Sequence, residues 1–266
     1  MNITRYLLTV FLIGFFSLSA SEDVWSADAK KPRSPCKIRY PGDATVEWEC
    51  RSLRPGETLE SLFGEQWKDV LRFNRIDRRH VRQGFPLKVP NRLEEIKDFT
   101  PLPLYYPPAE TEAKFILIDL SEQFLGAYEY GRLVFSAPVT TGERGNETPA
   151  GEFRITAVDR HRKSSLYFIE KTMIPYPMNY ALRFYINENG VAYWIHGRDV
   201  PGYPASHGCI GLYDEPMQKK YYRYPKDPVL EDARILYEWV IAPLPDEEGF
   251  RILKEGPRVL IVGQAP

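Results

Sequence analysis

The sequence predicts a mainly β protein with one convincing helix near its C-terminal end, preceded by a small unit ordered strand, helix, helix, strand. Three observations carry this. Twenty-three prolines among 266 residues suit strand edges and loops better than helical bundles. From Lys114 onward the apolar residues fall in short runs of strand length, and a helical stripe is clear only at Ala233, Leu236, Tyr237 and Val240. The chain is long enough to bury a sizeable core in one large domain or two smaller ones. Hydrophobic residues make up 43% and charged ones 27%, with a formal net charge of −1, so nothing suggests broad attraction to nucleic acid or to an anionic membrane.

The N-terminus reads as a secretion signal over residues 1–20. Arg5 precedes an apolar run from Tyr6 to Leu18, and Leu18-Ser19-Ala20 offers a cleavage site before Ser21. The run is short for a membrane span, which needs roughly 20 apolar residues, so no stable anchor is expected. The mature chain is expected in the periplasm or secreted. A polar leader, 21–35, comes next.

That compartment makes the three cysteines informative. Cys36 and Cys50 lie fourteen residues apart, and a disulfide between them would close a loop worth about 3 kcal/mol. Cys209 is then the odd cysteine, a liability outside the cytoplasm unless it has a job.

Residues 36–92 form the small unit. Val46, Trp48 and Cys50 alternate with charged residues as in a half-buried strand. Thr58 caps a helix carrying Leu59, Leu62 and Phe63, and Trp67, Val70, Leu71 and Asn74 mark a second. Gly84 turns the chain into a closing strand, Pro86 to Pro90. On Gly56-Glu57-Thr58-Leu59, Leu71-Arg72-Phe73-Asn74-Arg75-Ile76 and Gly84-Phe85-Pro86-Leu87-Lys88-Val89-Pro90, this unit resembles a LysM domain. The resemblance implies a βααβ fold and binding to the glycan strands of peptidoglycan. Asn74 suits either sugar contact or a brace for the turn, and a module that keeps the fold but no longer binds glycan stays open.

Residues 93–112 are a proline-rich linker, either a semi-rigid spacer or a strip laid on the next domain. Beyond it, Phe115 to Ile118 reads as a buried strand, and Gln123 to Tyr130 with Arg132 to Val139 as a hairpin around Gly131. Phe153 to Ile155, Leu166 to Ile169, Val191 to Ile195 and Arg258 to Val262 read as further strands. The helical stripe is assigned to core, with Asp227-Pro228 as cap and first position. His80 and His161, each beside arginines, read as solvated surface.

The chemistry concentrates in Tyr193-Trp194-Ile195-His196-Gly197 and Ser206-His207-Gly208-Cys209. A thiol has an unperturbed pKa of about 8.5, so only a small fraction is thiolate at neutral pH. A histidine within reach can take the proton and return it to a leaving amine. Glycine before the cysteine lets backbone N–H groups approach a developing oxyanion. The competing reading is zinc held by two histidines and a cysteine; no fourth ligand or His-Glu-x-x-His pattern accompanies it, and no metal or cofactor is expected.

These motifs resemble the signature of the YkuD-type L,D-transpeptidase catalytic domain. Ile118 to Gln123, Val139-Thr140-Thr141-Gly142 and Thr148-Pro149-Ala150-Gly151-Glu152-Phe153 extend the resemblance over 113–263. It implies a β-sandwich of mixed sheets with a flanking helix. It also implies that a cysteine attacks the carbonyl of the third residue of a peptidoglycan stem peptide and expels terminal D-alanine. An amine then takes the thioester, giving a 3–3 cross-link. Carried over, Cys209 is the nucleophile, His196 the base and the Gly197 carbonyl its orienter. Gly208 and Cys209 supply oxyanion N–H groups, and His207 lines the acceptor side or braces the loop. Ser206, Arg198 and Tyr203 are candidate substrate contacts, Ser206 chiefly as a loop-fixing hydroxyl.

Two departures stand out. The family usually has arginine two residues after the cysteine, where this chain has Gly211, and Arg198 is the nearest alternative guanidinium. The stretch Arg198 to Ala205 is also short, with Pro201-Gly202-Tyr203-Pro204 suited to a tight turn. The residues do not distinguish a stem amine, a protein lysine or water as acceptor, the last giving an L,D-carboxypeptidase. Gly211 would also suit a non-catalytic binder whose site has decayed.

Overall fold

The computed structural model describes residues 34–266; the expected signal and nearly all of the leader lie outside the described residues. After two short 3-10 turns, Pro35–Lys37 and Pro41–Thr45, the described residues form β1 (Trp48–Ser52), α1 (Leu59–Phe63), α2 (Trp67–Asn74) and β2 (Pro86–Pro90), with β1 and β2 antiparallel. Thr58 caps α1 by accepting from the Ser61 N–H at 3.0 Å. Cys36 and Cys50 are disulfide-bonded. Cys50 is exposed, so the inward alternation of β1 expected from the sequence stops at the half-buried Trp48.

Asn74 is wholly buried and braces the unit. Its Nδ2 donates to the carbonyls of Val70 and Lys88 (both 2.8 Å), and its Oδ1 accepts from the Lys88 N–H at 2.7 Å. This joins the end of α2 to the middle of β2 and leaves the amide no surface to offer a sugar.

The described residues hold together as one compact unit. Leu71, Phe73 and Ile76 share a core with Val200, Tyr213 and Leu230 from the far end of the chain. The Tyr213 hydroxyl donates to the Ile76 carbonyl at 2.9 Å, and the Asp77 N–H to the Val200 carbonyl at 2.8 Å. Arginines just past α2 complete the junction. Arg75, fully buried, pairs with Asp43 (2.6 Å) and Glu122 (3.2 Å) under the Tyr40 ring, while Arg78 pairs with Glu215 and Arg79 with Asp199. His80, expected in solvent, is instead packed against Asp77 at 2.7 Å. Burial works against its charge, but the carboxylate prevails and raises its pKa. His161 is exposed, beside Glu248.

The proline-rich segment lies along the next sheet. Leu102 and Ala109 are buried against Phe115, Leu117 and Tyr128, and the Tyr106 N–H donates to the Gly131 carbonyl at 2.7 Å.

The remaining elements are β3 (Phe115–Asp119), β4 (Phe124–Glu129), β5 (Arg132–Pro138), β6 (Gly151–Arg154), β7 (Ala157–Phe168), β8 (Pro175–Ile186), β9 (Ala192–Gly197), β10 (Ile210–Leu212), α3 (Glu215–Tyr222), α4 (Asp232–Ile241), β11 (Phe250–Ile252) and β12 (Arg258–Val262). They make two five-stranded sheets, ordered β5-β4-β3-β12-β6 and β10-β9-β8-β7-β11. Both are mixed: β12 runs parallel to β3 and β10 parallel to β9, the other pairs being antiparallel. Ile116, Ile118 and Leu125 of one sheet meet Leu182, Ile195 and Ile210 of the other in the main core. Ala233, Leu236, Tyr237 and Val240 of α4 join them, so the stripe is core.

Four elements differ from what the sequence predicts. The helix begins at Asp232, not at Asp227-Pro228: the Asp227 carbonyl accepts from Arg78 at 2.6 Å, and the N–H groups of Val229 and Leu230 donate to the Glu215 carboxylate, which holds this stretch out of the helix. Of the expected strand Leu166 to Ile169, Leu166 to Phe168 are only the tip of the twelve-residue β7, and Ile169 lies just beyond it. β8 and α3 were not foreseen. β8 interleaves prolines and polar residues with its apolar ones, and α3 rests on the Asp214 cap, which accepts from the Met217 N–H at 3.0 Å.

Candidate active site

Cys209 stands immediately before β10, whose pairing with β9 sets Ile210 opposite Ile195 and Gly211 opposite His196. The register therefore places Cys209 across from Trp194. It lies on the same pleat face as His196, one diagonal away. This is why two short motifs suffice: one parallel pairing brings them together.

The loop before the cysteine is held from several sides. The N–H groups of Ala205 and Ser206 both donate to the Thr141 carbonyl at 3.0 Å, and Thr140 exchanges backbone bonds with Gly211 at 3.0 and 2.8 Å. Thr148 Oγ1 accepts from the Gly142 N–H and donates to the Gly208 carbonyl, each at 2.9 Å. The threonines of the two supporting motifs thus clamp the cysteine loop. Gly208 has φ +103°, a conformation that disfavours side chains, and a Cβ there would overlap the Tyr193 ring.

Ser206 Oγ donates to the Cys209 carbonyl and accepts from the Gly208 N–H at 3.1 Å. The Gly208 N–H, expected to meet an oxyanion, is therefore engaged inside the loop. Tyr203 contributes its carbonyl, which accepts from Thr140 Oγ1 at 2.9 Å.

His196 is 3% exposed, and its Nδ1 lies 2.8 Å from the Gly197 carbonyl. A carbonyl only accepts, so Nδ1 carries the proton and Nε2 keeps its lone pair. Burial, with Arg198 adding repulsion, pushes the His196 pKa down to about 3, although the Gly197 bond works the other way. Burial likewise pushes the Cys209 thiol up, opposed by the Trp194 N–H and by Arg198 and Arg162. At neutral pH the resting pair is thus a neutral thiol and a neutral imidazole, not an ion pair.

The space that an arginine side chain at position 211 would enter is taken. A Cβ on Gly211 would overlap the Cγ and Cδ of Arg198 and approach Thr140 Cγ2 at 2.8 Å. Arg198 thus lies across Gly211, donates to the Ala205 carbonyl at 3.3 Å and buries its Nε without a partner.

A cavity of about 270 Å³ opens at Cys209. His207 lines it and stacks on Tyr167 of the β7 tip, ring centroids 4.4 Å apart and 20° between planes. Arg198, Tyr203 and Ser206, expected as substrate contacts, are not among its lining residues; they hold the loop from behind. Residues that sequence reasoning missed do line it: Arg162, Ser164 and Tyr167 of β7, Met178 of β8, and Trp194. The Arg160-His161-Arg162 alternation was visible, but not which strand β7 would join. Among the described residues no group of three His, Cys, Asp or Glu side chains is gathered as metal ligands.

The model of the YkuD family, the L,D-transpeptidase catalytic domain, matches residues 113–259, more than half of the 266-residue chain, and the chain belongs to that family. Similar solved structures include an L,D-transpeptidase from Stackebrandtia nassauensis, 23% identical over 57% of each chain with a TM-score of 0.37. One from Xylanimonas cellulosilytica is 22% identical over 73% of this chain and 78% of that chain, with a TM-score of 0.41. L,D-transpeptidase 1 of Mycobacterium tuberculosis is 17% identical over 57% and 62% respectively, with a TM-score of 0.35. The match thus spans less than two thirds of the Stackebrandtia and Mycobacterium chains. No curated protein matches the chain significantly.

Proposed function

We propose that this protein is a peptidoglycan L,D-transpeptidase of the cell envelope that works through a Cys209 acyl-enzyme. The observation that carries the reading is the oriented, neutral, buried His196 on the same sheet face as Cys209, which itself lines a cavity. As the thiol attacks the carbonyl of the third stem residue, its proton passes to His196 Nε2. The Gly197 carbonyl steadies the imidazolium that forms. The tetrahedral oxyanion is met by backbone donors at the cysteine, chiefly its own N–H. Collapse returns the proton from His196 to the leaving D-alanine. An amine then attacks the thioester, His196 accepting its proton, and the thiol is restored.

Against the decayed-site reading, which Gly211 favours, stand the retained Cys209 and His196 on one face of the sheet; the stem of Arg198 packs over Gly211 and fills the space there. The N-terminal βααβ unit we assign to glycan binding, with residues other than the buried Asn74 reading the sugar.

To test this, the mature protein and a Cys209→Ala variant are incubated with disaccharide-tetrapeptides and the products weighed by mass spectrometry. Cross-linked dimers, absent from the variant, support transpeptidation, whereas tripeptide alone assigns water as acceptor. Intact protein that gains no acyl mass at Cys209 refutes the mechanism. Retention of the full-length Cys209→Ala chain on glycan strands stripped of stem peptides tests the N-terminal unit separately; its passage unretained overturns that assignment.

A further inference from the structure

We propose that Arg162 binds a carboxylate of the acyl donor, a role that rests on the transpeptidase reading above. Arg162 is the one lining residue of the Cys209 cavity with a permanent charge, and no Asp or Glu lines it among the described residues. Its guanidinium lies 4.1 Å from the Trp194 ring centroid, and Trp194 with Met178 forms the apolar patch against which Cys209 packs. Cation and thiol therefore both sit beside this patch, and the indole face attracts and restrains the guanidinium.

The neighbouring guanidiniums are otherwise engaged. Arg160 pairs with Asp246, Arg183 donates to Thr156 Oγ1 at 3.1 Å, and Arg198 lies over Gly211. Among the described residues the ion pair of Arg162 is a long one, 3.7 Å from a single nitrogen to Asp159, and its side chain is 28% exposed. A guanidinium seated over a ring, lining a cavity and lacking a bidentate partner, suits a carboxylate. That its charge also weighs on the pKa values of Cys209 and His196 agrees with a place close to the reacting atoms.

A stem tetrapeptide presents two carboxylates near the bond to be broken: that of the terminal D-alanine and, with a diamino-diacid, that on the side chain of the third residue. Both are the same chemistry to Arg162, and selective amidation separates them. The arrangement divides two tasks between two arginines, Arg198 holding the loop and Arg162 meeting the substrate.

The test measures acylation of Cys209 in the full chain and in Arg162→Gln. The donors are the parent tetrapeptide, its D-alaninamide form and its side-chain carboxamide form. Alkylation by iodoacetamide reports the thiol without any carboxylate. Wild type should lose about tenfold or more in kcat/KM on one of the two amides, mostly through KM. The variant should be equally slow on the parent and lose nothing further on that amide, with alkylation within about threefold of wild type. The amide that matters names the carboxylate. A wild type indifferent to both amides, or a variant that keeps the wild-type discrimination, overturns the role of Arg162. A wild type that is alkylated but acylated by no stem peptide overturns the proposed function instead.

Discussion

Lowering the pH from 8 to 5 should leave the rate of Cys209 acylation by a stem tetrapeptide nearly unchanged. An ordinary histidine, with a pKa of about 6.5, would be mostly protonated at pH 5 and the rate would fall about 30-fold. His196 is buried with its pKa pushed down to about 3, so on the order of one molecule in a hundred is protonated at pH 5. The base stays competent, and the thiol, raised by burial, stays protonated across the window. The proton transfer is then the same event at every pH tested. Release of D-alanine from wild type under single-turnover conditions, with no added amine, gives the rate. The same depression has a stability consequence of definite sign. The folded pKa lies below the unfolded value of 6.5, so the contribution of His196 is complete above pH 6.5 and is lost as pH falls. The loss is about 1.4 kcal/mol per unit, or about 2 kcal/mol by pH 5. Urea unfolding of wild type and His196→Gln at pH 7 and 5 isolates it, since other acidic groups titrate in both. An acylation rate that drops tenfold or more between pH 6.5 and 5 in folded protein would refute the assignment of a neutral buried base.

Replacing Arg75 by Met should destabilise the chain by about 3–5 kcal/mol, because Asp43 and Glu122 lose a fully buried partner; a urea midpoint equal to wild type would show the network contributes nothing. Gly211→Ala should cost about 1–3 kcal/mol and slow acylation, since the added methyl overlaps Arg198. Combining it with Arg198→Ala should recover part of the stability loss, and strict additivity in the double-mutant cycle would count against the overlap.

Much of the site was legible because it is local. Cys209 and His196 are joined by one short parallel pairing, so a motif a few residues long carries both. Apolar runs and caps likewise marked β3, β12 and α1, whose determinants lie within each segment. Other features were hidden because they depend on which strand lies beside which. Strand alternation tells which residues share a face, not what that face meets. Arg162 was one of several arginines until β7 paired with β8 and β8 with β9, setting its guanidinium on Trp194. Asn74 was a brace or a sugar ligand until Lys88, fourteen residues on, supplied its partners.

Gly211 makes the same point at the site itself. By itself the sequence pointed to a thiol and a histidine acting from two short motifs, and showed that no arginine stands two residues after the thiol. Only the tertiary structure decided that the space over Gly211 is filled by the stem of Arg198, because whether a volume is empty depends on atoms brought in from the neighbouring segment.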